Sequence, residues 1–308
     1  MRFATSLLSI LLFLGTLNAQ TPRMEKARGQ LHKGQAKKAL VTIQEDIDQT
    51  GFNEDNATLK SEILLYVNAD QCWDNIQLTI EKFPTSAKAY MIRGRFYYEL
   101  REMENSYKDL TKALELCRDD SMRYRVYLSR SATCHDNSSH DHCIADCKEA
   151  LKLRPNSIEV LNNLSASYFR EGNSKASIEI LLQMKSIDST FTGTYVNLGY
   201  QFQQMENYIE AERYLLEGLK IEPKDAFMLN NLGYTQFKLG KVDEAIKSIN
   251  KSIAVNPSNS YCYRNLALIY AGQKNNLKAC ENINKALGLK FTEMYGEEMK
   301  VMKQQMCL

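Results

Sequence analysis

The chain has 308 residues, of which 39 are Lys or Arg and 37 are Asp or Glu, for a formal net charge of +2. So near a balance provides no long-range pull toward phosphate backbones or anionic membranes, and nucleic-acid binding is excluded as an expected activity. A chain of this length divides either into two globular domains or into an array of repeats that pack only on their neighbours.

Taken from the amino terminus, the first element is not part of a fold. Arg2 precedes an apolar run from Phe3 to Leu14, and a short neck follows from Gly15 to Ala19. That run is shorter than the roughly 20 apolar residues that cross a bilayer, and no stop-transfer pattern follows it. Residues 1–19 therefore read as a secretory signal cleaved after Ala19, with an uncleaved signal-anchor as the alternative. Residue 20 is Gln, where a lipid-anchored chain would need Cys. The mature chain is expected to be soluble, without an integral membrane segment, and exported to a periplasm or secreted.

Beyond the signal, the prolines set a period. Pro84, Pro155, Pro223 and Pro257 are separated by 71, 68 and 34 residues. Each of the last three ends an apolar run, as in Leu151 to Pro155 and Ile253 to Pro257, and so marks a helix that must stop. At this period the chain divides into 20–52, 53–86, 87–120, 124–157, 158–191, 192–225, 226–259 and 260–293, with Ser121 to Arg123 inserted. The first two units carry Ala27, Gly34, Ala39 and Ile43, then Leu59, Ile63, Cys72 and Ile76. The third has Tyr90, Gly94, Tyr97, Ser106 and Leu110; the fourth has Ser131, Cys143, Cys147 and Ala150. The fifth keeps Leu161, Leu164, Ser165, Tyr168 and Leu181. The last three place Leu198-Gly199, Leu232-Gly233 and Leu266-Ala267 at one phase, followed by Ala211, Ala245 and Ala279 at another. A small residue at fixed phase lets two helices approach while a facing Leu or aromatic fills the gap. Residues 294–308, with Met294, Met299, Met302 and Met306, predict one closing helix with an apolar stripe.

This pattern resembles the tetratricopeptide repeat. The unit 226–259 carries it best, with Leu229, Leu232, Gly233, Gly240, Ala245, Ile249, Ser252 and Pro257 in the family's key places, although Gln236 stands where the family has an aromatic. The resemblance implies an all-α fold, a right-handed α-solenoid of about eight helix pairs with a carboxy-terminal capping helix. It also implies a scaffold or adaptor that binds a protein or peptide in a concave groove lined by the first helix of each pair, with no enzymatic activity and no cofactor. At the groove places the sequence offers Arg95, Tyr98, Arg125, Asn162, Phe169, Tyr200, Gln203, Asn230, Tyr234, Phe237 and Arg264, with Lys88, Phe227 and Tyr261 beside them. Aromatics mixed with Arg and amides are the composition of a binding surface.

Two further features stand out. Asn163, Asn197, Asn231 and Asn265 recur just before the small residue's Leu, which fits either a clamp for a peptide carboxylate or hydrogen bonding between repeats. The segment Cys134 to Cys147 gathers Cys134, His135, His140, His142, Cys143 and Cys147. Three readings stay open there: packing thiols, a Cys134–Cys143 disulfide, or a zinc or copper site that would make the chain metal- or redox-responsive. The spacing matches no established metal motif. No Gly-rich phosphate loop, G-x-S-x-G elbow or H-E-x-x-H is present, which gives catalysis no foothold.

Overall fold

The structure is a computed structural model, and it describes residues 21–133 and 140–307, with the His140 side chain outside that set. The proposed signal, residues 1–19, also lies outside the described residues. Among the described residues there are only helices and their connections, and the chain falls into two compact units that meet between Asn173 and Ser174.

The amino-terminal unit contains α1 (Pro22–His32), α2 (Ala36–Thr50), α3 (Glu54–Leu64), α4 (Ala69–Lys82), α5 (Ala87–Glu99), α6 (Met103–Leu116), α7 (Asp120–Thr133), α8 (His140–Leu153) and α9 (Ile158–Arg170). Each odd-numbered helix packs on the even-numbered helix after it, from α1 on α2 to α7 on α8, and α9 packs on α8 and α7. The carboxy-terminal unit contains α10 (Ser174–Ile187), α11 (Thr192–Gln204), α12 (Tyr208–Ile221), α13 (Ala226–Lys238), α14 (Val242–Val255), α15 (Ser260–Gly272), α16 (Asn276–Gly288), α17 (Phe291–Tyr295) and α18 (Glu298–Met306). There the pairs are α11 on α12, α13 on α14 and α15 on α16. The all-helical, paired architecture is the class that the resemblance implies.

Local chemistry explains where these helices begin and end. Ser86, Ser157, Asp225 and Asn259 cap α5, α9, α13 and α15, each accepting a backbone N–H of the first turn. Between the two helices of a pair, one left-handed residue turns the corner: Gly34, Arg101, Glu206, Gly240 or Lys274. Pro84, Pro155, Pro223 and Pro257 lie just past a second helix, where their missing N–H and their effect on the preceding residue stop the helix.

The small residues do what their phase predicts. A Cβ on Gly233 would sit 2.4 Å from Cγ1 of Ile249 and 2.9 Å from the backbone oxygen of Ala245; one on Gly199 would sit 2.5 Å from Cδ2 of Leu215. Either helix pair would have to part to admit it. The cores run across repeat boundaries: Leu64, Cys72, Ile76, Met91, Ile92, Leu110 and Val126 form one cluster contributed by α3 to α7. Each pair thus covers the apolar face its predecessor leaves open.

The chain closes differently from the single helix expected over 294–308. Gly296, at φ 100°, breaks it into α17 and α18, a conformation that disfavours any other residue. Phe291 and Met299 bury against Ala267, Ile283 and Ala286, whereas Met294 is exposed, so the methionine stripe is only partly turned inward. A disulfide joins Cys280 of α16 to Cys307 at the end of α18.

Candidate binding groove

The first helices of successive pairs touch one another in each unit: α1, α3, α5 and α7 in one, α11, α13 and α15 in the other. Their shared faces carry most of the residues singled out for binding.

In the amino-terminal unit this face centres on Glu62, which no sequence motif marks. Its side chain is only 5% exposed, yet it is ionised among cations. Arg125 donates to Glu62 Oε1 at 2.9 Å, and the Lys88 ammonium lies 4.0 Å from Oε2. Burial alone would push the Glu62 carboxyl up, but Lys88, Arg125, Arg28 and Arg95 together outweigh it and hold it down to about 2. Burial pulls the Lys88 ammonium below its usual range, with Glu62 opposing. The structure therefore sets Arg125 and Lys88 against one carboxylate, Glu62, with Arg28 and Arg95 acting on it from beyond 4.0 Å. Tyr98, Asn162 and Phe169 lie half-buried, each engaged by other residues.

The carboxy-terminal unit presents aromatics instead. Tyr200 is 44% exposed, Phe227 62% and Tyr261 37%. The Tyr261 ring packs on Tyr295 at 4.4 Å and on Phe291 at 5.4 Å. Tyr234 is half-buried beneath the Arg264 guanidinium, 5.6 Å from its ring centre, and Phe237 packs half-buried against the α14–α15 core. Arg264 itself is held by the closing segment, donating to both carboxylate oxygens of Glu298 at 2.9 Å. Gln203 and Asn230 are not surface groups but buried ones. Gln203 donates to the backbone oxygen of Asn231 at 2.8 Å and to Thr235 Oγ1 at 2.7 Å, and Asn230 accepts from Asn265 at 3.0 Å.

For two of the recurrent asparagines, hydrogen bonding between repeats is the role the structure shows. Asn163 donates to Ser131 at 3.0 Å, and Asn265 reaches Asn230 in the preceding repeat.

Of the Cys/His segment, Cys134 and His135 lie outside the described residues, as does the His140 side chain. The Cys134–Cys143 pairing falls partly there too, while Cys143 itself is a free thiol. Burial pushes Cys143 up to about 11 and Cys147 up to about 12, so both are protonated and pack as small apolar groups. His142 is exposed beside the Tyr107 ring, and Asp146 accepts two hydrogen bonds of 2.7 Å from Arg130. Among the described residues no group of three His, Cys, Asp or Glu is arranged to hold a metal ion.

Residues 226–259 match a family described as tetratricopeptide repeat, and so do 87–120 and 192–225. These three repeats are tetratricopeptide repeats. Among curated proteins nothing matches the chain's sequence. Among solved structures it is similar to a tetratricopeptide repeat protein from Parabacteroides merdae, with TM-score 0.58 and 14% identity over 93% of this chain and 98% of that one. It is also similar to pilF of Pseudomonas aeruginosa, with TM-score 0.56 and 16% identity over 71% and 97% of the two chains. A chain of the APC/C hetero-tetramer Cut9-Hcn1 aligns with TM-score 0.66 and 15% identity over 93% of this chain, which spans only 55% of its length. These likenesses concern the fold. Tetratricopeptide repeats serve as protein–protein interaction scaffolds and bind protein partners, and the fold is typically non-catalytic. No helix among the described residues is long and apolar enough to cross a membrane.

Proposed function

We propose that the chain is an exported adaptor that holds a segment of a partner protein on the first-helix faces of its repeats. The observation that carries this reading is the row of Tyr200, Phe227 and Tyr261, three large aromatics exposed to water on the consecutive first helices α11, α13 and α15. Aromatic side chains left open on successive first helices are the material of binding hot spots, since they bury much area at little cost in side-chain entropy. Export is supported by the apolar leader and by the Cys280–Cys307 disulfide, because such bonds persist in oxidising compartments.

A photo-crosslinking side chain placed at Phe227, in the full chain made by its own cells, should capture a discrete partner. The same group at Leu277, which is 74% exposed on the second helix α16, should capture none. Equal capture at both positions, or capture only at Leu277, would move the binding site off the first-helix face.

A further inference from the structure

The first-helix face of the amino-terminal unit holds more cations than its own carboxylates satisfy. Arg28, Lys88, Arg95 and Arg125 all act on Glu62, but only Arg125 and Lys88 come within 4.0 Å of it. Asp55 is the further carboxylate that acts on Lys88. Arg28 keeps its Nε buried with no hydrogen-bond partner among the described residues, and Arg95 has neither an ion pair nor a hydrogen bond there. The buried Nε of Arg28, left without an acceptor, costs on the order of 1–3 kcal/mol, and both side chains are half-buried, so their guanidinium groups are placed to take an acceptor from outside. The guanidinium fork matches a carboxylate with two parallel hydrogen bonds.

We infer that this face binds an acidic segment of a partner protein, whose side-chain carboxylates are received by Arg28 and Arg95 while Glu62 holds Lys88 and Arg125 in place. The inference rests on the reading that first-helix faces hold protein, and it adds the chemistry of what is held. Glu62 has a double effect here. It fixes two of the cations, and it competes with an incoming carboxylate for their field.

The test is calorimetric titration of the full mature chain with a decaglutamate peptide, with a decalysine peptide as control, at low and at physiological salt. Saturable binding of decaglutamate alone is expected, weakened by salt, and about tenfold weaker in Arg95→Ala, the loss of one charge-assisted hydrogen bond. Arg28→Ala should weaken it similarly. Glu62→Gln should bind more tightly than the parent although its own melting temperature falls, and decaglutamate should raise that melting temperature more than it raises the parent's. Arg95 has no ion pair or hydrogen bond among the described residues to lose, so Arg95→Ala and the charge-keeping Arg95→Lys serve as folded comparisons even where Arg28→Ala does not. Absence of saturable binding, binding unchanged in Arg95→Ala, or inorganic phosphate protecting as well as the peptide at equal ionic strength would each overturn the inference. Capture at Phe227 concerns the other unit, so its success beside a failure here would sink the acidic-segment claim alone.

Discussion

The residue after the small packing position is Glu62 in the second repeat and Tyr200 in the sixth; six places before the next two small positions stand Lys88 and Arg125 in one unit, Phe227 and Tyr261 in the other. The repeat gives both trios the same place on their first helices. In the amino-terminal unit the three side chains close on each other, with Glu62 at 5% exposure and its partners at 2.9 and 4.0 Å. In the carboxy-terminal unit all three rings face solvent. The difference teaches that the repeat fixes where a side chain stands but not what it does there. The positions that hold two helices together must be small, as Gly94, Gly199 and Gly233 are, while those one place after and six places before are free to become either a buried ion cluster or an open aromatic row.

The comparison breaks most visibly if the ion cluster is dismantled. Arg125→Ala should destabilise the chain by about 3 kcal/mol, the low end for breaking a buried pair, because Arg125 is partly exposed and Lys88 remains beside Glu62. Acid sharpens the same point. The Glu62 carboxyl is held below its usual 4.5, at about 2, so between these values the unfolded chain binds more protons. Its contribution is complete above pH 4.5 and lost as pH falls toward 2. Removing Arg125 lets the carboxyl rise, so the acid limb of the stability curve should move to higher pH. Urea midpoints measured across this range in both chains read both effects, and an unmoved acid limb would contradict the cluster.

A somewhat smaller effect is expected at the far end of the carboxy-terminal unit. The Cys280–Cys307 bond closes a loop of 27 residues, for which loop-closure entropy sets a ceiling of about 3.5 kcal/mol, and such bonds commonly deliver less. Cys280→Ser should therefore loosen α18 and expose Met299, which hydrogen exchange of the α18 amides would report. Unchanged protection there would mean that the Arg264–Glu298 pair and the apolar contacts suffice without the disulfide.

Much of this fold was legible in the sequence because its rules are local and periodic. The proline spacing and the Leu-Gly pairs already mark close-packed helix pairs, and the structure places Ile249 and Leu215 against Gly233 and Gly199. What the sequence did not disclose obeys no period. Glu62 escapes the period because α3 begins one residue late, at Glu54, which moves the small position of the second repeat to Ser61. Reading Ser61 as the small position would have aligned Glu62 with Arg95, Tyr200 and Tyr234. Gln203 and Asn230 fall at groove places in the sequence, yet an amide can be buried wherever the next repeat supplies its partner, as Thr235 and Asn265 do. The disulfide joins a helix to the chain's last turn, a proximity set by the break at Gly296 and by no spacing.

The measurement that bears most directly on the central claim compares two truncations at one repeat position, Glu62→Ala and Tyr200→Ala, by denaturant unfolding under identical conditions. Glu62→Ala leaves buried cations uncompensated and should cost about 3 to 5 kcal/mol. Tyr200→Ala removes a ring that is 44% exposed and should cost less than about 1 kcal/mol. Equal losses, or a larger loss for Tyr200, would show that the aromatic row belongs to the core and that the two faces do not divide between holding the fold and meeting a partner.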